Sequence, residues 1–105
     1  MAVHPTWHIT SEDRVVLEGA LDRETVPVLW REITQWHPKS DQVQVDLAQI
    51  DRIDSAGMVM LLHLIEHAKK RNCHIMLGFV PDQLMTLMRL SNVESILADH
   101  INNAA

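Results

Sequence analysis

Val43-Gln44-Val45-Asp46-Leu47-Ala48-Gln49-Ile50-Asp51-Arg52-Ile53-Asp54-Ser55-Ala56-Gly57 is the stretch on which the fold turns. Val43, Val45 and Leu47 alternate with Gln44 and Asp46, the period of a strand with one buried face. At Asp54-Ser55 the period changes. Placed at about 100° per residue, Met58, Leu61, Leu62, Ile65 and Ala68 form one stripe, which predicts a helix running to about Asn72. His63, Glu66, His67 and Lys70 fall on the opposite side. Lys69-Lys70-Arg71 closes the last turn, where cations complement the negative end of the helix dipole.

Upstream, Thr6–Thr10 and Arg14–Gly19 are short β-rich runs around the polar turn Ser11-Glu12-Asp13, the pattern of a hairpin. Val26, Leu29, Trp30 and Ile33 then recur on one helical face. Asp22 or Thr25 can cap that helix, Pro27 suits its first turn, and His37-Pro38 stops it. Downstream, His74–Phe79 reads as a strand, and Pro81-Asp82 opens a helix bearing Leu84, Leu87 and Met88. A short helix over Val93–His100 precedes a tail, Asn102–Ala105, expected to fray. The order is β-β-α-β-α-β-α-α. Right-handed strand–helix–strand crossovers place the helices mainly on one face of a small mixed sheet, so the fold class is α/β.

The chain has 105 residues, 9 basic and 14 acidic, for a net charge of −5. That length is expected to form one domain over residues 1–105. A hydrophobic fraction of 47% is too high for intrinsic disorder. The longest apolar run, Ala56–Leu62, falls far short of the roughly 20 residues of a bilayer span. Met1–Trp7 has neither a basic nor an apolar leader region, so no signal peptide is expected. Cys73 is the single cysteine, which suits a reducing compartment. Net acidity argues against nucleic acid and against direct docking on anionic lipid. The expected locale is cytoplasmic.

Several candidate chemistries fail on spacing. His63-Leu64-Ile65-Glu66-His67 matches the H-x-x-E-H pattern of a zinc peptidase. A peptidase needs a third ligand and a cleft, and no ligand-rich motif follows His67. Cys73 and His74 are adjacent on a strand and point to opposite faces, so they form no thiol–imidazole pair. The glycines Gly19, Gly57 and Gly78 are too dispersed for a nucleotide-binding loop. Asp46, Asp51 and Asp54 read as an acidic strand-to-helix turn before they read as a Mg²⁺ site. Neither a metal nor a cofactor is expected. Among the tryptophans, Trp30 is expected in the core and Trp7 and Trp36 partly exposed.

Asp54-Ser55-Ala56-Gly57 supports two readings. In one, Asp54 or Ser55 simply caps the helix. In the other, Ser55 presents an exposed hydroxyl at the positive end of the dipole, where a phosphate gains from free N–H groups. Gly57 keeps the first turn slim enough for another surface, and Val59 and Met60 make an apolar patch beside it.

At these residues the chain resembles the STAS domain family, shared by anti-sigma factor antagonists and the cytoplasmic tails of sulfate transporters. The resemblance rests on Val43–Leu47, on Ile53-Asp54-Ser55-Ala56-Gly57 and on the long helix that follows. It implies that Ser55, in D-[ST]-x-G, is the regulatory phosphoacceptor position. Leu61–Lys70, Gly19-Ala20-Leu21-Asp22 and Val28-Leu29-Trp30 are most similar to the small accessory STAS subunits of phospholipid-transport ABC systems. The resemblance then implies a non-enzymatic subunit that binds and supports the ATPase, with the permease in the same complex, and sits peripheral to the inner membrane through that partner. The partner-binding residues expected are Asp54, Ser55, Gly57, Val59, Met60 and His63. The alternative it implies is an anti-sigma factor antagonist regulated by phosphorylation of Ser55.

Overall fold

Five strands and four helices account for residues 7–102, the part of the chain described by this computed structural model. The strands are β1 (Trp7–Ser11), β2 (Arg14–Leu21), β3 (Gln42–Ile53), β4 (His74–Gly78) and β5 (Ile101–Asn102). The helices are α1 (Val26–Gln35), α2 (Ser55–Lys69), α3 (Asp82–Leu90) and α4 (Glu94–Leu97), the last followed by a 3₁₀ turn over Ala98–His100. The sheet order is β1-β2-β3-β4-β5, antiparallel between β1 and β2 and parallel thereafter. This is the mixed α/β fold expected. Neighbouring parallel strands joined by right-handed crossovers bring the helices onto one face.

The pleat confirms the alternation. Val15 and Leu17, Val43, Val45 and Leu47, and Ile75 and Leu77 are buried beneath the helices. Their neighbours Val16, Gln44, Asp46 and Met76 are half-buried on the other face, where Arg14 pairs with Asp46 at 2.8 Å. Thr6, expected in the first strand, lies outside the described residues, as do His4 and residues 103–105.

Four local expectations are corrected. The second helix ends at Lys69, not near Asn72. Asn72 adopts φ 60°, and the Cys73 N–H returns to the Ala68 carbonyl at 2.9 Å, a left-handed stop that asparagine tolerates. The Val93–His100 helix is split into α4 and the 3₁₀ turn. Asn102 does not fray: it pairs with Gly78 in β5. Trp7 is buried, meeting the half-buried Trp36 edge-to-face at 5.4 Å, while Trp30 is only half-buried at the edge of the core.

The largest difference lies in the face of α2 that goes inside. Met58, Leu61, Ile65 and Ala68 are buried as expected, but so are Met60 and Leu64, and Leu62 is only half-buried. On the helical wheel the buried arc is turned by about 60° from the sequence stripe. The reason is packing: α2 lies on the sheet and also against α1 and α3. A helix in the middle of a layer buries its flank as well as its base.

Candidate functional site

Asp54 is the residue that caps α2. It has extended backbone, and its Oδ1 accepts the Gly57 N–H at 3.1 Å. Ser55 is therefore the first helical residue and leaves its side chain exposed. Downstream, Val59 and His63 follow at i+4 and i+8 on the same stripe, with Ala56 and Met60 beside them.

These side chains form one wall of a groove of about 530 Å³ between α2 and α1. Ser55, Ala56, Val59, Met60 and His63 face Val26, Pro27 and Trp30 across it. Val59 is 43% exposed and Met60 only 2%, so the expected exposed pair resolves into a rim and a floor. Trp30 closes one end with the histidines of α2: its ring centroid lies 5.7 Å from His63 and 6.3 Å from His67. His67 also bonds through Nε2 to the Trp36 carbonyl at 3.1 Å. The two histidines of the H-x-x-E-H pattern thus pack on an indole.

Two of the expected partner-binding residues stand outside the groove. Gly57 is buried, and a Cβ there would lie 2.4 Å from the Leu21 carbonyl oxygen and 2.8 Å from Ile53 Cγ1. The slimness it provides admits the chain's own β2, which approaches the first turn of α2 at this point. Asp54 faces the other side of the helix start, in a polar depression with Asp22, Arg52 and Gln83. The groove residues missed from sequence are Val26, Pro27, Trp30 and Ala56. For the three on α1 the signal was the width of that helix's apolar face, broader than one core stripe requires; Ala56 lies on α2, next to Ser55.

Asp22 anchors the other wall. Its Oδ1 accepts the N–H groups of Glu24 at 2.9 Å and Thr25 at 3.0 Å, and its Oδ2 accepts Arg52 Nη2 at 2.7 Å. The Arg52 bond first, and the Thr25 N–H second, hold the carboxyl below its ordinary range against the opposing effect of burial. Cys73 is buried, and loss of hydration, reinforced by the charge of Asp41, pushes its thiol up. Its Sγ lies 4.0 Å from the His74 carbonyl oxygen. Asp46 is engaged by Arg14 and the Ala48 N–H. Asp46 and Asp54 are thus tied to separate local partners.

The chemistry available in the groove is limited. Besides the Trp30 indole N–H, its polar side-chain groups are the Ser55 hydroxyl and the His63 imidazole. Eight residues apart on one helix, Ser55 and His63 are separated by about 12 Å of axial rise. Activating a serine takes a base within about 3 Å. The arrangement is suited to receiving apolar side chains.

A one-sided mixed sheet, with a capped D-S-x-G turn leading into its long central helix, defines a STAS domain. The solved structures agree. The chain superimposes on the unphosphorylated anti-sigma factor antagonist SpoIIAA with a TM-score of 0.69 at 15% identity, covering 91% of this chain and 84% of that one. For a sulfate transporter family protein from Wolinella succinogenes the TM-score is 0.67 at 18% identity, covering 85% and 74%. At these identities the likeness is one of fold. Within the class the assignment is narrower: residues 8–98 match the family described as "Mlab, STAS domain", and the chain belongs to it. It is 36% identical over 88 residues to the intermembrane phospholipid transport system binding protein MlaB of Escherichia coli K12, covering 84% of this chain and 88% of that protein. The MlaB protein of Shigella flexneri gives the same figures.

Proposed function

We propose that the chain is a single STAS domain acting as a non-enzymatic accessory subunit of an ABC-type phospholipid transport system, binding and supporting its ATPase subunit. The observation that carries this is the apolar α1–α2 groove beside an exposed Ser55, in a chain 36% identical to MlaB over most of its length. From Ser55 to His63 the groove runs about 12 Å, two helical turns. That length accepts two or three apolar side chains of a partner helix. Val59 supplies rim contact, Met60 an adaptable floor and Trp30 a rigid aromatic anchor. The permease belongs to the same complex through the ATPase. No described helix is long and apolar enough to cross a membrane. The subunit then sits on the cytoplasmic side and is peripheral to the inner membrane through its partner. SpoIIAA shares only the fold, so the antagonist reading gains nothing specific from it.

Ser55→Glu tests the docking. The substitution places a carboxylate at the positive end of a helix, so the free domain folds normally. Covered by a partner, that charge is desolvated without a counter-ion, which costs several kcal/mol. Co-purification of the ATPase with the tagged parent, and its loss with Ser55→Glu at unchanged melting temperature, is the expected pair of results. Retention of the ATPase by Ser55→Glu places docking elsewhere.

A further inference from the structure

The two walls of the groove spring from one junction. α1 starts four residues after Asp22, whose carboxylate holds the intervening turn through the Glu24 and Thr25 N–H groups. Thr25 completes that turn, accepting the Asp22 N–H at 3.1 Å and donating to the Ala20 carbonyl at 2.8 Å. α2 starts three residues after Arg52, and the Asp54 N–H returns to the Leu21 carbonyl at 3.1 Å. Arg52 Nη2 to Asp22 Oδ2, at 2.7 Å, is a side-chain link from one wall's root to the other's. The far end of the groove is tied separately, by Trp30 on the histidines and by His67 on the Trp36 carbonyl.

We propose that the Arg52–Asp22 pair is the positioning element of the docking groove, setting the separation of the N-terminal turns of α1 and α2. This rests on the docking role proposed above and names what shapes that same site. Asp22 is 8% exposed and offers a partner little surface of its own. Its buried carboxylate takes its counter-charge from Arg52, whose side chain is 64% exposed. With Arg52 removed, the carboxylate turns toward water, and the Glu24–Thr25 turn it holds turns with it. The start of α1 then shifts, carrying Val26 and Pro27 away from Ser55 and Val59. The walls keep their core contacts through Leu29 and Leu61, so the fold survives while the groove changes width.

The test uses four single variants and one double of the full chain, with binding to the purified ATPase subunit, melting temperature, and NMR of the free chain. Arg52→Gln and Asp22→Asn are each expected to weaken binding roughly tenfold. The asparagine retains an oxygen for the Glu24 and Thr25 N–H groups but loses the charge that draws Arg52, so the turn forms without being held to the root of α2. The double variant is expected to lose no more than either single one, and Arg52→Lys to recover most of the affinity. The Trp30 indole and Val59 methyl signals are expected to move in free Arg52→Gln, although neither residue neighbours Arg52 in sequence. Weakening by Arg52→Gln alone, with Asp22→Asn binding as the parent does, means that Arg52 touches the partner directly and overturns the proposal. Normal binding by both, with binding lost in Val59→Asp, overturns the positioning role and leaves the docking surface standing. Normal binding by Val59→Asp removes the docking reading itself, and unmoved Trp30 and Val59 signals in Arg52→Gln then refute positioning independently. If Asp22→Asn fails to fold, the exposed Arg52 variants with the free-chain signals carry the test.

Discussion

Gly57→Ala sets two effects of one methyl group against each other. In an open helix interior alanine is favoured over glycine by about 1 kcal/mol. Here the added Cβ would meet the Leu21 carbonyl oxygen at 2.4 Å, and Ile53 Cγ1 and Leu21 Cβ at 2.8 Å. Relieving the carbonyl contact takes about 1 Å of movement, against a backbone atom that has no rotamer to change. In an interior packed to crystal density, α2 itself must lift from the end of β2. Such overpacking costs about 1–3 kcal/mol. Lifting also strains the Asp54 N–H bond to Leu21, 3.1 Å long, which sits at the same contact. Its loss adds about 1 kcal/mol. After the helix-propensity gain, a net loss of about 1–3 kcal/mol remains. For a domain of this size that lowers the melting temperature by roughly 5–20 °C. Urea titration followed by circular dichroism and tryptophan fluorescence measures it. A variant as stable as the parent, or more so, would show that helix propensity governs position 57, and the close approach of α2 to β2 would have to be abandoned.

Truncations on α2 test which face is inside. Met60→Ala should cost about 2–4 kcal/mol in the same titration, and Val59→Ala well under 1, because only the first opens a cavity. Equal losses at the two positions would refute the rotated face. Asp22→Asn should be less stable than the parent at neutral pH. Since the folded carboxyl titrates below its ordinary value, its contribution is complete above about pH 4 and is lost as pH falls through the folded value. The gap between parent and variant should therefore close in acid, and a gap that is constant down to pH 2 would mean the Arg52 bond does not hold the charge.

The strands and the D-S-x-G junction were legible because their signals are local. Alternation at Val43, Val45 and Leu47 states which face is buried, since a sheet has only two. The cap at Asp54 depends on one side chain and a backbone N–H three residues away. The two-residue strand Ile101–Asn102 left no such signal. It owes its existence to the outer edge of β4, where Leu77 and Gly78, paired on their inner side with Val45 and Asp46 of β3, meet the returning chain.

The groove was half legible for a different reason. A helical wheel fixes the angles among Ser55, Val59, Met60 and His63, and those four line one wall of the groove. It carries no information on where the neighbouring elements stand. Met60 and Leu64 lie toward the flank of α2, and α1 packs along that helix. Trp30 shows the same effect from the other side. Its indole lies beside the buried Leu29 and Ile33 stripe of α1 and packs on His63 and His67 of α2. An apolar residue beyond the core stripe of one helix is covered only if a second helix lies close enough. Where Ala56 keeps the α2 wall low beside Val26 and Pro27, the walls stay apart and the space between them remains open. The groove is thus a property of two helices and the junction between them, which no single stretch of the sequence contains.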